Sequence, residues 1–281
     1  MIDTVRAELL KLRKRPAVWV LLAAAAVLSQ VFGYLIPYLS YVTGDTQTDD
    51  GTVPLQEILA STLPDQLVIN TIGGFPIFAG ALALVFGALM FGGEYGWGTV
   101  KTLFTQHPSR LSVLGGQLVA LGVALVVGVA VLFALSAVTS LGIALAENQP
   151  AQWPGVADLA EGFGVGWLVL MMWASLGAVL GVTLRNVALP IGLGVVWVLG
   201  IENLISAMAG SVLTALQPLR DVLPGVNAGS LAAAVLPGRV IDPPPGVIAS
   251  VTGSRALVTL MCYCLLCAAP RWPHGPYAGA T

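Results

Sequence analysis

Long apolar runs separated by short polar segments dominate the chain. They predict six membrane-spanning helices, because a helix needs about 20 apolar residues to cross a bilayer. The expected bounds are residues 17–41, 67–91, 111–146, 162–184, 187–208 and 256–269. The last run is short for a span unless residues 247–252 extend it. Pro37 is expected to bend the first span near its outer end.

The apolar runs favour helices over strands. A membrane barrel would show segments of about ten residues that alternate between polar and apolar positions, and none is found. Lipid cannot satisfy backbone groups, so a single span must satisfy its own as a helix. We therefore predict an all-α integral membrane protein in which residues 1–281 form a single transmembrane domain.

Composition supports this fold class. The chain is 57% hydrophobic and 9% charged, with a mean hydropathy of +0.87, whereas a soluble domain is about 25% charged. No polar stretch reaches the length of about 50 residues that an independent soluble domain needs. Twelve basic and 14 acidic residues give no nucleic-acid-binding footprint. The positions of the charges are therefore more informative than their number.

The basic residues indicate the orientation in the membrane, because Lys and Arg accumulate on the cytoplasmic side. Six spans with a cytoplasmic N-terminus place nine of them inside: Arg6, Lys11, Arg13, Lys14, Arg15, Lys101, Arg110, Arg185 and Arg271. Arg220, Arg239 and Arg255 fall outside. The charged residues of the first outer loop are all acidic: Asp45, Asp49, Asp50, Glu57 and Asp65. This distribution predicts that both termini are cytoplasmic.

The basic segment before the first span predicts an interfacial helix over residues 1–16. Leu9 and Leu12 share one helical face that could lie at the membrane surface, and Arg13 points elsewhere. A second interpretation stays open at this stage. Any basic cluster beside a span attracts anionic lipid, by about 1 kcal/mol per residue, and anchoring alone would explain it.

The loop between the second and third spans, residues 92–110, has the clearest functional pattern. Glu94 lies at the membrane edge, and a short amphipathic helix is expected over residues 99–105. Residues 96–102 resemble a phosphate-binding loop only superficially, because no Gly precedes Lys101 and no strand comes before the loop. We predict no nucleotide site in this chain.

Other polar residues suggest less. Cys262, Cys264 and Cys267 are expected to be buried small apolar residues and not metal ligands, because the second half of a zinc site is missing. The acidic first outer loop lacks the spacing of a calcium loop. Glu202, beside Asn203, is the main candidate for an ion-coupling carboxylate, although a place in the outer interface is the favoured interpretation.

Two patterns concern packing. Gly177 and Gly181 form a small-xxx-small pair, for which packing within the chain is the favoured interpretation. Residues 210–253 contain apolar pieces cut by prolines and too short to span. They predict short outer-leaflet or re-entrant helices packed against the protein.

Three segments resemble those of type-2 ATP-binding-cassette (ABC) exporter permeases. Residues 93–99 look like the family's Gly-Glu-Tyr-x-x-Gly-Thr stretch, and the basic residues Lys101 and Arg110 follow it. Residues 6–13 are similar to its interfacial elbow helix. Residues 222–229 resemble its Leu-Pro-x-x-Ala-type segment between the fifth and sixth spans.

This resemblance implies roles for three sets of residues. Residues 92–110 would contain a coupling helix that docks on a separate ATPase subunit, and Glu94 would pair with an Arg of the elbow helix or of the ATPase. The residues implied in ATPase coupling are Glu94, Tyr95, Gly98, Thr99, Lys101, Thr102 and Arg110. Those of the elbow helix are Arg6, Glu8, Lys11, Arg13 and Arg15. Those of an extracellular lid are Leu223, Pro224 and Asn227.

The resemblance implies the membrane subunit of an exporter in the bacterial plasma membrane. Two copies of an ABC ATPase would bind ATP and Mg, this chain would hold no cofactor, and a second permease copy or homologue would complete a dimer. The cargo would be amphipathic or lipid-like, such as a drug, an antibiotic or a lipid. The alternatives are an ion-coupled secondary carrier, a non-transporting membrane scaffold and an intramembrane enzyme. The enzyme is the least favoured, because His107 and His274 lie in cytoplasmic segments.

Overall fold

The computed structural model describes residues 2–48, 51–96, 110–211, 214–235, 244 and 246–268. Within these ranges the backbone is helical almost throughout, as the sequence predicts. The strands described are two residues long, Gln47–Thr48 and Gly51–Thr52, and pair antiparallel in the predicted first outer loop. The predicted all-α class is confirmed.

Five helices are long and apolar enough to cross a membrane, counting only the described residues. We name them spans 1 to 5: Pro16–Thr43, Pro64–Gly93, Leu114–Ala146, Val156–Leu184 and Ala188–Ala209. The sixth predicted run forms the last helix, Gly253–Ala268, of which the structure describes 16 residues. Residues 247–252 are not helical and do not extend it. Five of the six predicted spans therefore reach spanning length in the described chain.

Shorter helices lie at the two ends of the bundle. The N-terminal helix, Ile2–Lys14, precedes span 1. The helix Pro224–Val235, which we call the outer helix after the membrane side predicted for it, lies between span 5 and the last helix. The remaining short pieces are Leu55–Ala60, the 3-10 turns Pro64–Gln66 and Thr214–Leu216, and Gln217–Arg220. Span 2 continues as helix to Gly96, and the helix of span 3 begins at Arg110.

Each of spans 1, 2 and 5 contains one wide π-helical turn, at Val31–Leu35, Phe75–Ala79 and Trp197–Ile201. In span 1 the cause is local, because Pro37 has no N–H to offer the carbonyl of Gly33. Pro76 lies within the turn of span 2 and likewise lacks a donor. The irregularity expected from Pro37 is thus a widened turn just before the proline.

Spans 2 and 4 form the centre of the molecule. A Cβ placed on Gly177 would lie 2.0 Å from the carbonyl oxygen of Leu84, and one on Gly87 would lie 1.9 Å from that of Ala174. These glycines therefore let the two backbones touch. Trp173 is fully buried between them, and its Nε1 donates to the carbonyl of Pro76 at 3.1 Å. The interpretation of Gly177 as a packing residue within the chain is confirmed.

Span 1 lies at the periphery, and polar contacts join it to span 3. Thr139 Oγ1 donates to Gln30 Oε1 at 2.6 Å. Towards the outer end, the hydroxyls of Tyr38 and Tyr41 donate to the two carboxylate oxygens of Glu147 at 2.8 and 3.3 Å. These bonds fix the outer half of span 1, although Tyr34 is the only residue of this span that the structure describes as buried.

The cysteines depart from the prediction. Cys262 is exposed, and Cys264 and Cys267 are partly buried; all three are free thiols. The expectation of three buried cysteines is wrong, because the last helix packs through Ala256 and Leu260. Those two residues lie four apart on one face, and Cys262 lies off that face.

Candidate functional site

The N-terminal helix packs one face against span 3. Thr4, Glu8 and Leu12 are each buried to about 5% exposure or less, and their spacing of four residues puts them on one helical face. Glu8 accepts a hydrogen bond from Lys11 Nζ at 2.8 Å. Leu9 is only partly buried. The buried face therefore includes a carboxylate and is not a purely apolar membrane-facing surface.

The end of the basic segment reaches the end of span 2. Arg15 Nη1 lies 3.8 Å from the position that a Cβ would take on Gly93. Gly93 directly precedes Glu94, so the structure brings Arg15 next to the residue before the predicted coupling carboxylate. Trp19 Nε1 donates to the carbonyl of Arg13 at 2.9 Å and ties span 1 to the N-terminal helix.

At the opposite end, the three predicted lid residues are buried together. Leu223, Pro224 and Asn227 lie at the start of the outer helix. Asn227 Nδ2 donates to the carbonyls of Asp221 at 3.0 Å and of Leu223 at 2.8 Å. From the last helix, the Tyr263 hydroxyl donates to the carbonyl of Val222 at 3.0 Å.

Glu202 also belongs to this outer cluster. Its side chain is 4% exposed, and its Oε1 accepts hydrogen bonds from the backbone N–H groups of Gly225 and of Val226, the latter at 3.2 Å. The outer helix covers Glu202, so its carboxylate is not an exposed charge, and the expected place in the outer interface stays a prediction. The sequence offered one signal: Pro224 marks a helix start, where free N–H donors attract a carboxylate.

Two further contacts fix the outer helix to the segment that follows it. Ser230 Oγ donates to the carbonyl of Ile248 at 3.0 Å and accepts from the N–H groups of Ser250 and Val251 at 3.1 and 3.3 Å. A Cβ on Gly229 would lie 1.8 Å from the Gly246 carbonyl oxygen. The outer helix and residues 246–251 are therefore one packed unit.

Comparison with known proteins identifies the family. A family model described as ABC-2 family transporter protein matches residues 4–231, more than half of the 281 residues. The chain belongs to the ABC-2 family of transporter proteins. No curated relative matches it. This ABC-2 protein is therefore a multi-pass membrane permease of an ABC transporter, the transport subunit of such a system, and the predicted resemblance is confirmed.

The matched region of this ABC-2 permease includes both ends described above. It begins within the N-terminal helix and ends within the outer helix, so Glu8, Arg15, Glu202 and Asn227 all lie inside it. The last helix lies beyond the match.

The predicted coupling residues of this ABC-2 permease are only partly within the described chain. Glu94 and Tyr95 belong by backbone to the helix Gly80–Gly96, and Arg110 begins the next helix, Arg110–Ala146. The side chains of these three residues lie outside the description. Gly98, Thr99, Lys101 and Thr102, and with them the expected helix 99–105, lie outside the described residues altogether.

The predicted elbow residues are all within the described chain. Arg6 and Arg13 are exposed, Glu8 is buried, and Lys11 and Arg15 are partly exposed. Of this set, the structure pairs Glu8 with Lys11 and brings Arg15 to Gly93.

Proposed function

We propose that this chain is the membrane subunit of an ABC exporter that moves an amphipathic or lipid-like small molecule out of the cell. ATP hydrolysed by a separate ATPase would drive the transport. The observation that carries this proposal, beyond the family itself, is the junction at Arg15. There the N-terminal helix, the start of span 1 and the end of span 2 meet beside Glu94.

This junction suits the transmission of a push from outside the membrane. An ATPase docked on residues 99–105 would move the end of span 2, and a carboxylate–guanidinium contact is a rigid, directional link. The movement of span 2 would pass to the N-terminal helix and from there to span 3, because the buried face of that helix packs on span 3. We assign Glu94 to this link, and Tyr95, Gly98, Thr99, Lys101, Thr102 and Arg110 to the docking loop.

The spans support an external energy source and an apolar cargo. Their charged residues are Asp65, Asp158, Glu161 and Glu202, and the first three lie in the opening turns of spans 2 and 4. One carboxylate oxygen of Glu202 accepts from two backbone donors. A carrier driven by protons or sodium usually has free carboxylates at mid-membrane. An apolar path fits drugs, antibiotics or lipids better than it fits ions.

The proposed assembly follows the family. The last helix would serve as a sixth span, and both termini would face the cytoplasm of a bacterial plasma membrane. A second permease copy or homologue would complete the transport path. Two ATPase copies would hold ATP and Mg, and this chain would have no cofactor of its own.

Co-purification tests the proposal. The chain is expressed with the ATPase encoded beside it and isolated through a tag in mild detergent. We expect a stoichiometric complex whose ATP hydrolysis collapses on Glu94→Ala, because the link between docking loop and spans is lost. Glu57→Ala is the matched control, since Glu57 is exposed in the first outer loop.

Two results would overturn the proposal. One is a chain that purifies intact without any ATPase, which would favour a secondary carrier or a scaffold. The other is a complex in which Glu94→Ala leaves both assembly and ATP hydrolysis unchanged.

A further inference from the structure

Glu202 joins two parts of the molecule that otherwise touch little. The outer helix packs mainly against the last helix and span 4, and its described contact with the end of span 5 is small. Span 5 is itself poorly covered, whereas span 4 is mostly buried. We propose that Glu202 is a positioning residue that latches span 5 to the outer helix, and that release of this latch opens the outer end of the transport path. The opening step rests on the proposed exporter function.

The geometry of the latch is specific to a carboxylate meeting a helix start. The first N–H groups of a helix have no partners within the helix. Pro224 has no N–H to satisfy, and the next two donors, on Gly225 and Val226, both point at Glu202 Oε1. A Cβ on Gly225 would lie 2.8 Å from that same oxygen. A side chain larger than that of glycine at this position would therefore displace the carboxylate.

The contact is incomplete in a way that favours release. Glu202 Oε2 is buried and accepts no hydrogen bond of good geometry among the described residues, although the Trp197 side chain lies beside the carboxylate. A neutral Ser or Asn would cap the helix without this cost, since a buried carboxylate oxygen without partners loses its hydration. Such a group gains by reaching water when span 5 moves away. A half-satisfied carboxylate is therefore suited to a contact that opens and closes.

Span 5 also has a place where it can bend. Glu202 directly follows the wide turn Trp197–Ile201, and such turns often mark functional sites in helices. Asn203 Nδ2 donates to the carbonyls of Val198 and Leu199 at 2.9 and 3.2 Å and so satisfies groups that the wide turn leaves open. The outer helix, by contrast, packs on the last helix and is tied through Ser230 to residues 248–251. Tyr263 of the last helix binds Val222, just before the outer helix. The latch thus joins a segment that can bend to a fixed one.

Spin-label distances test the latch directly. The native cysteines are replaced by Ser, and labels are placed at Leu204 on span 5 and at Ile248 beside the outer helix, both exposed. The ATPase complex is measured in lipid, without nucleotide and with ATP plus vanadate. We expect a short distance at rest and a shift to a longer one in the trapped complex.

Three variants separate the latch from a general loss of structure. Glu202→Leu removes the acceptor, and Gly225→Ala pushes the carboxylate away while keeping its charge. Both should show the longer distance without nucleotide. Glu202→Gln keeps an acceptor oxygen and should resemble the parent chain. Gly142→Ala, at an open position of span 3, is the control for Gly225→Ala.

The outcomes of the two proposals are distinguishable. The latch is refuted if Glu202→Leu and Gly225→Ala both retain the short distance. It is also refuted if the parent complex hydrolyses ATP and still shows the short distance after trapping with vanadate. If no ATPase joins the chain, the exporter proposal fails. The comparison of the variants in lipid without a partner then still decides whether Glu202 holds span 5 to the outer helix.

Discussion

Two buried carboxylates, Glu8 at one end of the bundle and Glu202 at the other, show different ways of using a charge. Each is 4% exposed. Glu8 is paired with Lys11, three residues further along the same helix. Glu202 accepts from Gly225 and Val226, more than 20 residues away on another helix. The first contact stabilises one helix, and the second fixes how two helices lie relative to each other.

The partners also differ in how they respond to loss of the acid. The Lys11 side chain is 39% exposed, so water can hydrate its ammonium group when the Glu8 carboxylate is removed. Gly225 and Val226 are partly buried at the start of the outer helix, and their N–H groups point at a buried carboxylate. Buried donors left without an acceptor cost more than exposed ones. The two sites should therefore differ in sensitivity although the two residues are equally buried.

Glu202→Lys should have the largest effect. An ammonium group would face two N–H donors and the positive end of the outer helix, all of one polarity. We expect a loss of about 3 kcal/mol or more in the free energy of unfolding, from two unsatisfied donors and a buried charge. The measurement is the thermal denaturation midpoint of the purified chain in detergent.

Glu57→Lys makes the same change at an exposed position of the first outer loop and should leave the midpoint nearly unchanged. Equal midpoints for the two variants would show that the Glu202 contact does not hold the outer helix.

Gly225→Ala should have the next largest effect. Its new methyl group would lie 2.8 Å from Glu202 Oε1, so the carboxylate must move. We expect a loss of about 1–3 kcal/mol, typical of overpacking, in the same denaturation measurement. Alanine favours helices, so the backbone itself gains.

The matched variant Gly142→Ala has open space around the new methyl group. It should gain about 0.5–1 kcal/mol through helix propensity alone. Opposite signs for the two Gly→Ala changes would attribute the loss to the Glu202 contact. A gain at both positions would contradict the close approach at Gly225.

The difference between Glu8 and Glu202 also marks what a sequence can predict. The spans followed from apolar runs, because burial in lipid acts on each segment separately. Span 4 was predicted to begin at residue 162, but its helix begins at Val156. The prediction was late because the first turns contain the charged residues Asp158 and Glu161, which are not part of the apolar run. Asp158 Oδ2 accepts from the Gly155 N–H at 3.1 Å, so this acid belongs to the helix start and not to the loop before it.

At the candidate sites, too, features set by local sequence were predicted and features set by tertiary contacts were not. The N-terminal helix and the helix start at Leu223, Pro224 and Asn227 follow from local patterns, and the structure contains both helices, whereas the elbow and lid roles stay predictions. The partners of Glu202 are set by tertiary packing of span 5 on the outer helix, which no short-range pattern encodes. The buried face of Glu8 was missed as well, because a charged residue is rarely covered unless it is paired.

Glu8→Gln should have a smaller effect than either change at the outer end. The pair with Lys11 spans one helical turn and is partly exposed, and such pairs contribute about 0.5 kcal/mol. We expect a loss of about 0.5–1 kcal/mol in the denaturation measurement. Lys11→Met, measured alone and with Glu8→Gln, gives the coupling energy of the pair. A coupling above about 2 kcal/mol would place Glu8 in the same class as Glu202.

The smallest effect is expected at Asp221, which contacts two outer arginines. Arg220 binds its Oδ1 through Nε at 3.2 Å and Nη2 at 2.9 Å, whereas Arg255 Nη1 lies 3.7 Å from Oδ2 and its side chain is 52% exposed. Arg255→Gln should change the free energy of unfolding by less than about 0.5 kcal/mol, and Arg220→Gln by more. High salt should remove the effect at Arg255 first, since exposed charges are screened most. If Arg255→Gln were as damaging as Glu202→Lys, exposed charge pairs and not backbone donors would hold the outer helix, and the contrast between Glu8 and Glu202 would lose its physical basis.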